Sequence, residues 1–140
     1  MSQTLEVRVE QDGASSSVGI VRTHRLAIDR PVAKGGTDKG PLGGEYLLVS
    51  LGGCFMSNLL AAIRAREMPA AGISNVRVAV TATVDGPPDR VTAMTMTVGA
   101  AGADRATLEK LVEIAGRACI VTNTLKLAVP ITVTCEPLNP

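Results

Sequence analysis

Aromatic residues are almost absent from this sequence, which has no Trp, one Tyr and one Phe. Both rings lie in a single stretch, at Tyr46 and Phe55, so the rest of the core has to be built from smaller aliphatic side chains. We therefore expect the fold to be organised around the apolar segment that contains them, residues 45–67.

Histidine is equally scarce, and its scarcity argues against several kinds of catalytic site. The single His24 and three widely separated cysteines lack the CxxC and HxxxH spacings that place ligands on one cation, so we expect no metal site. No Ser lies in a G-x-S-x-G elbow, which argues against a serine hydrolase. The chemistry that remains is that of thiols.

Charge is low and evenly spread, with 14 Lys and Arg against 13 Asp and Glu and a formal net charge of +1. No basic patch predicts binding to nucleic acid or to an anionic membrane. The first residues, MSQTLEVRVEQDG, alternate polar and apolar side chains, and no uninterrupted apolar run reaches the roughly 18 residues of a membrane span. We expect no signal peptide, no membrane partner and a cytoplasmic protein.

The chain is long enough for one compact domain, residues 1–140, that folds without disulfide support. An odd number of cysteines, three, also argues against a disulfide framework. Hydrophobic residues make up 46% of the sequence and the mean hydropathy is +0.25, which is apolar for a small domain. A buried interface between subunits would account for this excess.

Two extended segments open the chain. Leu5, Val7 and Val9 alternate with charged residues, which predicts a half-buried strand. Residues 18–29 predict a second strand, in which Arg22 and Arg25 point to opposite faces.

Residues 31–44 contain five glycines and two prolines without periodicity, which predicts a loop. The loop has only the first half of a phosphate-binding motif, because Pro41 and Leu42 stand where Lys and Ser or Thr are required. Residues 45–67 then predict a central helix that is covered on more than one side. Gly52 and Gly53 lie in its interior, so we expect another backbone, a second helix or a partner subunit to approach closely there.

Residues 76–84 and 91–98 alternate strongly around a Gly-Pro-Pro connection, which predicts an antiparallel hairpin. Asp104 is a suitable N-cap for a second helix, with Cys119 on or at the end of its buried face. A short strand, residues 129–135, closes the chain. The order of strands, helix, strands, helix and strand indicates the α+β class.

Cys54 lies on the apolar face of the first helix, and the pattern allows two interpretations. It is either a small core side chain or a reactive thiol. The first interpretation is plausible because free Cys is among the most buried residue types. Packing of the two helices could bring Cys54 and Cys119 within disulfide reach. Cys135, which alternates within the last strand, is expected to be a structural thiol.

The run DRPVAKGGTDKGPLGGEYLLVSLGGCF, which ends at Phe55, resembles the signature of the OsmC/Ohr family. That signature has an acidic residue and a Pro, then a GG-x-D-x-GP loop, then an E-x-LL-xx-LGGC helix. The later segment CIVTNTL, which begins at Cys119, resembles the second family motif, a Cys followed by apolar and Ser, Thr or Asn residues. Ile120 stands where many members have Pro.

The resemblance implies an OsmC-like fold, in which curved antiparallel sheets from two chains wrap two central helices as an intertwined homodimer. It also implies peroxidase chemistry without a metal or flavin cofactor. Cys54 would attack the O–O bond of an organic hydroperoxide and become a sulfenic acid, and Cys119 would resolve it as an intramolecular disulfide. A dithiol, of the dihydrolipoyl type in some members, would restore the thiols.

The resemblance also nominates two charged residues. Well-studied peroxidases of the family have a catalytic Glu ten residues before the Cys. Here Gly44 has that position and Glu45 stands nine before, as in a more divergent, OsmC-like branch. Glu45 is the candidate for this role, with a helix-start acid favoured by the helix dipole as the alternative. Arg25 is the candidate for the thiolate-polarising Arg, because an apolar face would bury Arg22.

Three hypotheses follow. The first is a thiol-dependent hydroperoxide reductase with an apolar pocket against Phe55, Leu51 and Met56. The second is a non-catalytic dimer that binds an apolar small molecule and keeps its cysteines packed and inert. The third, a dimeric scaffold without a small-molecule site, predicts no pocket beside Cys54.

Overall fold

The structure is a computed structural model that describes residues 1–66 and 72–138. It divides into two compact units, Met1–Leu47 and Leu48–Pro140. The described elements are strands, one long helix, a strand pair, two helices and a final strand, so the predicted α+β class is confirmed.

The first unit contains a three-stranded antiparallel sheet in the order β1-β2-β3. Its strands are β1 (Arg8–Gln11), β2 (Ser17–Val21) and β3 (His24–Ile28). The first strand begins later than predicted. The predicted half-burial of this segment was wrong, since Leu5, Val7 and Val9 are 60–76% exposed. An apolar stripe at the start of the chain is therefore left uncovered.

The prediction of one strand over residues 18–29 was wrong, because the chain reverses between β2 and β3. Val21 pairs with His24 across a two-residue turn, in which Arg22 has a left-handed φ of +53°. Such turns usually announce themselves with Gly, Asn or Asp, and this one has none of them. Arg22 therefore belongs to neither face of a strand, whereas Arg25 stays on β3, exposed and opposite Ile20.

The glycine-rich loop is organised around the carboxylate of Asp29, which is 2% exposed. It accepts hydrogen bonds from the hydroxyls of Ser15 (2.8 Å) and Thr37 (2.6 Å) and from the backbone N–H groups of Arg30 (2.7 Å), Thr37 (3.1 Å) and Lys39 (3.1 Å). These donors, the Thr37 hydroxyl foremost, hold the pKa of the Asp29 carboxyl well below its usual range. The predicted plain loop is thus an ordered structure.

Two glycines allow the loop to close around this carboxylate. A Cβ on Gly36 would collide with the backbone carbonyl of Arg30, and a Cβ on Gly40 would collide with that of Ala27. Close backbone approach, rather than phosphate binding, therefore accounts for glycine at these two positions.

We predict that Asp29→Asn destabilises the protein at neutral pH, because an amide NH₂ cannot accept the bonds that the carboxylate accepts. Since the folded state lowers this pKa, the stabilisation is complete above the unfolded value of about 4 and is lost as the pH falls through the folded value. The thermal midpoints of the wild type and the variant should therefore converge in acid. Circular dichroism melts from neutral pH to about pH 2 measure this.

Asp38→Asn is the matched control. Asp38 lies exposed in the same loop with a φ of +56°, a conformation that Asn tolerates. An equal loss of stability in both variants, or a pH-independent loss at Asp29, would contradict the assignment.

The second unit contains most of helix α1 (Gly43–Arg64) and a mixed sheet in the order β4-β5-β6. Its other elements are β4 (Ser74–Asp85), β5 (Arg90–Ala101), α2 (Arg105–Ala118), α3 (Ile120–Leu125) and β6 (Ile131–Leu138). The predicted hairpin is confirmed as the antiparallel pair β4 and β5. Strand β6 pairs with β5 in parallel, because the chain crosses back through α2 and α3.

The core joins one face each of α1, β5 and α2. The predicted apolar face of α2 is buried, and Asp104 caps this helix as predicted, since its carboxylate accepts the N–H of Thr107 at 2.7 Å. That bond also lowers the pKa of the exposed Asp104 carboxyl. The buried members are Leu51, Phe55, Leu59, Ala62, Met94, Met96, Val98, Ala100, Leu108, Leu111, Val112, Ala115 and Cys119.

Helix α1 begins two residues before its predicted start and ends at Arg64, and the predicted end at Glu67 and stop at Met68 and Pro69 lie outside the described residues. Against expectation, its length and composition suffice to cross a membrane, with a mean hydropathy of 1.7 over 18 residues. Only 28% of that window is buried. A core helix can have the same composition, and α1 contributes four side chains to the core, but much of its apolar surface is open.

Candidate functional site

Cys54 lies near the middle of α1, where its partly exposed side chain packs against the core. One turn later, the Asn58 Nδ2 donates to the Cys54 backbone carbonyl at 2.9 Å and lies 3.8 Å from the Cys54 Sγ. The sulfur therefore has an amide N–H beside it. Asn58 was not among the residues predicted from the sequence, although a polar residue four positions after a Cys on an apolar helix indicates such a contact.

Cys119 joins α2 to α3, as the C-cap of the first and the N-cap of the second. Its side chain is fully buried, and its Sγ accepts the backbone N–H of Thr122 at 3.4 Å. The prediction that it ends the buried face of α2 is confirmed. Ile120 is the first residue of α3, a position at which Pro is favoured, so Ile in place of Pro is compatible with the same local geometry.

The two thiols share one apolar cluster. Cys119 is a member of the buried core, and Cys54 packs against it. The helices meet between them, since a Cβ on Gly116 would lie 3.8 Å from Cε2 of Phe55. Both thiols are free, and no group of three His, Cys, Asp or Glu residues within 1–66 and 72–138 is placed to hold a metal ion.

Cys135 lies apart on β6, half-buried, and its backbone carbonyl accepts a hydrogen bond from Nη1 of Arg105 at 2.7 Å. Burial raises the pKa of its thiol, and the Glu109 carboxylate adds to this, while Arg105 acts in the opposite direction. A raised pKa leaves little thiolate at neutral pH, which suits the structural role predicted for Cys135.

Glu45 and Arg25 both belong to the first unit, and both are exposed. Glu45 lies in the first turn of α1, and its Oε1 accepts the backbone N–H of Leu42 at 2.9 Å. An acid at this position that reaches back over the helix start is half of a capping box, as the helix-start alternative predicted. The catalytic roles of Glu45 and Arg25 stay predictions.

An open apolar groove of about 420 Å³ runs between α1 and β4. Its lining residues are Leu48, Val49, Gly52, Gly53, Met56, Val78 and Val80. The predicted pocket was wrong in its composition, because Leu51 and Phe55 are buried in the core and only Met56 of the predicted three reaches the groove. At about 100° per residue, Cys54 lies roughly 200° around the helix from Gly52, on another face.

The two helix glycines have different surroundings. A Cβ on Gly52 would lie 3.0 Å from Cγ2 of Val80, so within the chain the close neighbour is a strand side chain, not the backbone or second helix that was expected. The expected approach of a partner subunit stays a prediction. A Cβ on Gly53 would have no atom within 4 Å. Nothing in the described chain therefore offsets the cost of glycine at position 53.

We predict that a small alkylating agent modifies Cys54 first in the native protein at neutral pH. Cys119 should stay unmodified, because no part of it is exposed. Cys135 should react slowly, at a rate that rises about tenfold per pH unit while its raised pKa lies above the working pH. Peptide mass spectrometry after timed iodoacetamide treatment measures the three rates.

Unfolding in guanidinium chloride is the control, since all three thiols should then react at similar rates. Native modification of Cys119 as fast as that of Cys54 would contradict the difference in burial on which this prediction depends.

A sequence model of the family described as OsmC-like protein matches residues 36–134. No curated protein sequence matches the chain. Among solved structures, an OsmC-like protein from Mycoplasma pneumoniae has a TM-score of 0.84 at 16% identity, and a hypothetical protein from Aquifex aeolicus has 0.84 at 15%, each covering 99% of both chains. The organic hydroperoxide resistance protein OhrB of Bacillus subtilis has 0.70 at 16% identity, covering 96% of this chain and 98% of its own. At these identities the likeness shows the fold.

Proposed function

Because the chain belongs to the OsmC/Ohr family as an OsmC-like protein, we propose that it is a thiol-dependent peroxidase that reduces organic hydroperoxides. The observation that carries the proposal is the pair of free thiols in one cluster, Cys54 partly exposed and Cys119 fully buried. A hydroperoxide has to reach its sulfur from outside, whereas a resolving sulfur needs only to meet its partner.

The proposed reaction has two steps in the protein. The Cys54 thiolate attacks one peroxide oxygen, so that an S–O bond forms, the O–O bond breaks and the alcohol leaves after taking a proton. The Cys119 sulfur then attacks the sulfenic sulfur, so that the S–S bond forms, the S–O bond breaks and water leaves. An external dithiol, which we propose is of the lipoyl type, reduces this disulfide and is itself oxidised.

Three further groups are proposed to assist. Asn58 donates toward the Cys54 sulfur and is proposed to hold it in position. Glu45 and Arg25 are proposed to bias Cys54 toward thiolate and to orient the peroxide. The backbone N–H of Leu42 donates only to Oε1 of Glu45. The capping bond therefore leaves Oε2 of this carboxylate available for other contacts.

We also propose that the protein is cytoplasmic and that it forms a homodimer. The dimer is supported by the large apolar surfaces that the single chain leaves open. Leu5, Val7 and Val9 are exposed at the start of the chain, and Val49 is 60% exposed on α1, beside the groove. Exposed apolar surface of this extent is normally covered by a second subunit.

The groove also supports a second candidate function, the non-catalytic binding of an apolar small molecule. Its lining is apolar, and at about 420 Å³ it is large enough for a small ligand. Because Cys54 lies on another face of α1, a ligand in the groove would not meet the thiol. This function requires both cysteines to be inert toward peroxide.

We predict that one equivalent of an organic hydroperoxide, such as cumene hydroperoxide, converts the reduced protein to a Cys54–Cys119 disulfide. Cys54→Ser should lower peroxide consumption at least about a hundredfold, because it removes the nucleophile. Cys119→Ser should stop after one turnover with a sulfenic acid at Cys54. Mass spectrometry and a peroxide assay with excess dithiol measure these outcomes.

Cys135→Ser is the matched thiol control and should turn over at the wild-type rate. Glu45→Gln keeps an acceptor for the Leu42 N–H but removes the charge, so a lower rate at an unchanged thermal midpoint separates catalysis from capping. An unmodified Cys54 after peroxide treatment would reject the peroxidase and leave the binding function.

We predict that Gly53→Ala weakens the dimer. In a single chain the substitution meets open space and should stabilise α1 by about 1 kcal/mol. A subunit packed against this position would be displaced by the added methyl group. Sedimentation velocity over a range of protein concentrations should therefore show a dissociation constant at least about tenfold higher.

Gly44→Ala is the control, since a Cβ there also has no atom within 4 Å and the residue lies in the first turn of the same helix. If Gly53→Ala raises the thermal midpoint and leaves association unchanged, the subunit interface does not include this face of α1.

A further inference from the structure

The side chain of Thr122 presents a buried polar group that the proposed reaction has not yet used. Its Oγ1 is buried and has no hydrogen-bond partner among the residues that the structure describes. Buried hydroxyls are nearly always hydrogen-bonded, because burial removes their bonds to water. An unpartnered hydroxyl at this position therefore needs an explanation.

The position of Thr122 relates it to Cys119. Thr122 is the third residue of α3, and Cys119 is the N-cap of that helix. The backbone N–H of Thr122 already donates to Sγ of Cys119 at 3.4 Å. Because Cα–Cβ bonds tilt toward the helix N-terminus, the side chain of the third residue reaches back toward the N-cap.

A hydrogen bond from this hydroxyl to a neutral thiol would be weak, since sulfur in a thiol is a weak acceptor. A thiolate is different, because hydrogen bonds to a charged acceptor are roughly twice as strong as those between neutral groups. Cys119 is fully buried, so a charge on its sulfur would have to be stabilised by donors of the protein itself.

We propose that Thr122 is a positioning residue for Cys119, whose hydroxyl donates to the Cys119 sulfur whenever that sulfur carries negative charge. This inference rests on the proposed peroxidase function, in which Cys119 is charged twice. In the resolving step its thiolate forms the S–S bond as the S–O bond of the sulfenic acid breaks and the leaving hydroxide takes a proton to become water. In the reductive step the external dithiol attacks the Cys54 sulfur and Cys119 leaves as a thiolate.

The test isolates Cys119 by combining Cys54→Ser and Cys135→Ser, and follows the ultraviolet absorbance of the thiolate against pH. In this background Thr122→Val should shift the titration midpoint upward by about one pH unit, because Val keeps the shape and loses the donor. Thr122→Ser should return the midpoint close to that of the parent. The thermal midpoint of Thr122→Val should be unchanged or higher, since the variant removes an unpartnered hydroxyl.

Thr124→Val is the matched control on the same helix, where the hydroxyl donates to the backbone carbonyl of Ile120 at 2.8 Å. It should leave the Cys119 titration unchanged. A Thr122→Val titration that coincides with the parent, or an equal shift in Thr124→Val, would overturn the proposal.

A second measurement uses the protein with all three cysteines and one equivalent of hydroperoxide. Thr122→Val should slow disulfide formation about three- to tenfold, because less of Cys119 is then thiolate. The loss stays below the full tenfold where the more basic thiolate of the variant is a better nucleophile. The rate of Cys54 oxidation should not change. If Cys54 is not oxidised at all, the peroxidase proposal fails, while the titration of Cys119 still decides the role of Thr122.

Discussion

The contact between Phe55 of α1 and the last turn of α2 at Gly116 is the interaction on which the two-thiol arrangement depends. This is the one Phe of the chain, and it is 1% exposed. Cys54 precedes the ring by one residue, and Cys119 follows Gly116 by three, at the point where α2 ends. In a sequence so poor in aromatic residues, the place where the single Phe is buried largely decides which segments of the two helices meet.

The unequal burial of the two thiols indicates which one would act as nucleophile and which as resolving thiol in the proposed reaction. Cys54 is partly exposed and has the Asn58 amide beside it, which suits a nucleophile that meets its substrate from solvent. Cys119 is fully buried, and the donor at its sulfur is the backbone N–H of Thr122. A charge at the second position is costly unless the protein supplies donors, so the start of α3 becomes part of the proposed chemistry and not only a connection.

The periodic parts of the fold could be predicted from the sequence, because their signal is local. The β4 and β5 hairpin, the N-cap at Asp104 and the buried face of α2 were all predicted, since alternation, capping residues and three- and four-residue steps report directly on burial. Arg22 shows where this fails, because its left-handed turn uses neither Gly nor Asn. The carboxylate of Asp29 could not be recognised as a loop centre, since its donors lie up to 14 residues away.

The residues of the candidate site also divide into those that could be predicted from the sequence and those that could not. Cys54 and Cys119 could be predicted from family motifs, and the four-residue spacing from Cys54 could have indicated Asn58. Thr122 could not be predicted, because its significance depends on which atom lies one turn away. Thr122 is the instructive case. Ser, Thr, Asp and Asn are the residues usually found at a helix N-cap, and Cys is not among them, so no residue pattern indicated that Cys119 caps α3. Once the sulfur is recognised as the cap, the hydroxyl three residues later falls where a capping partner is normally found, and the charge that it would stabilise is that of the proposed resolving thiolate.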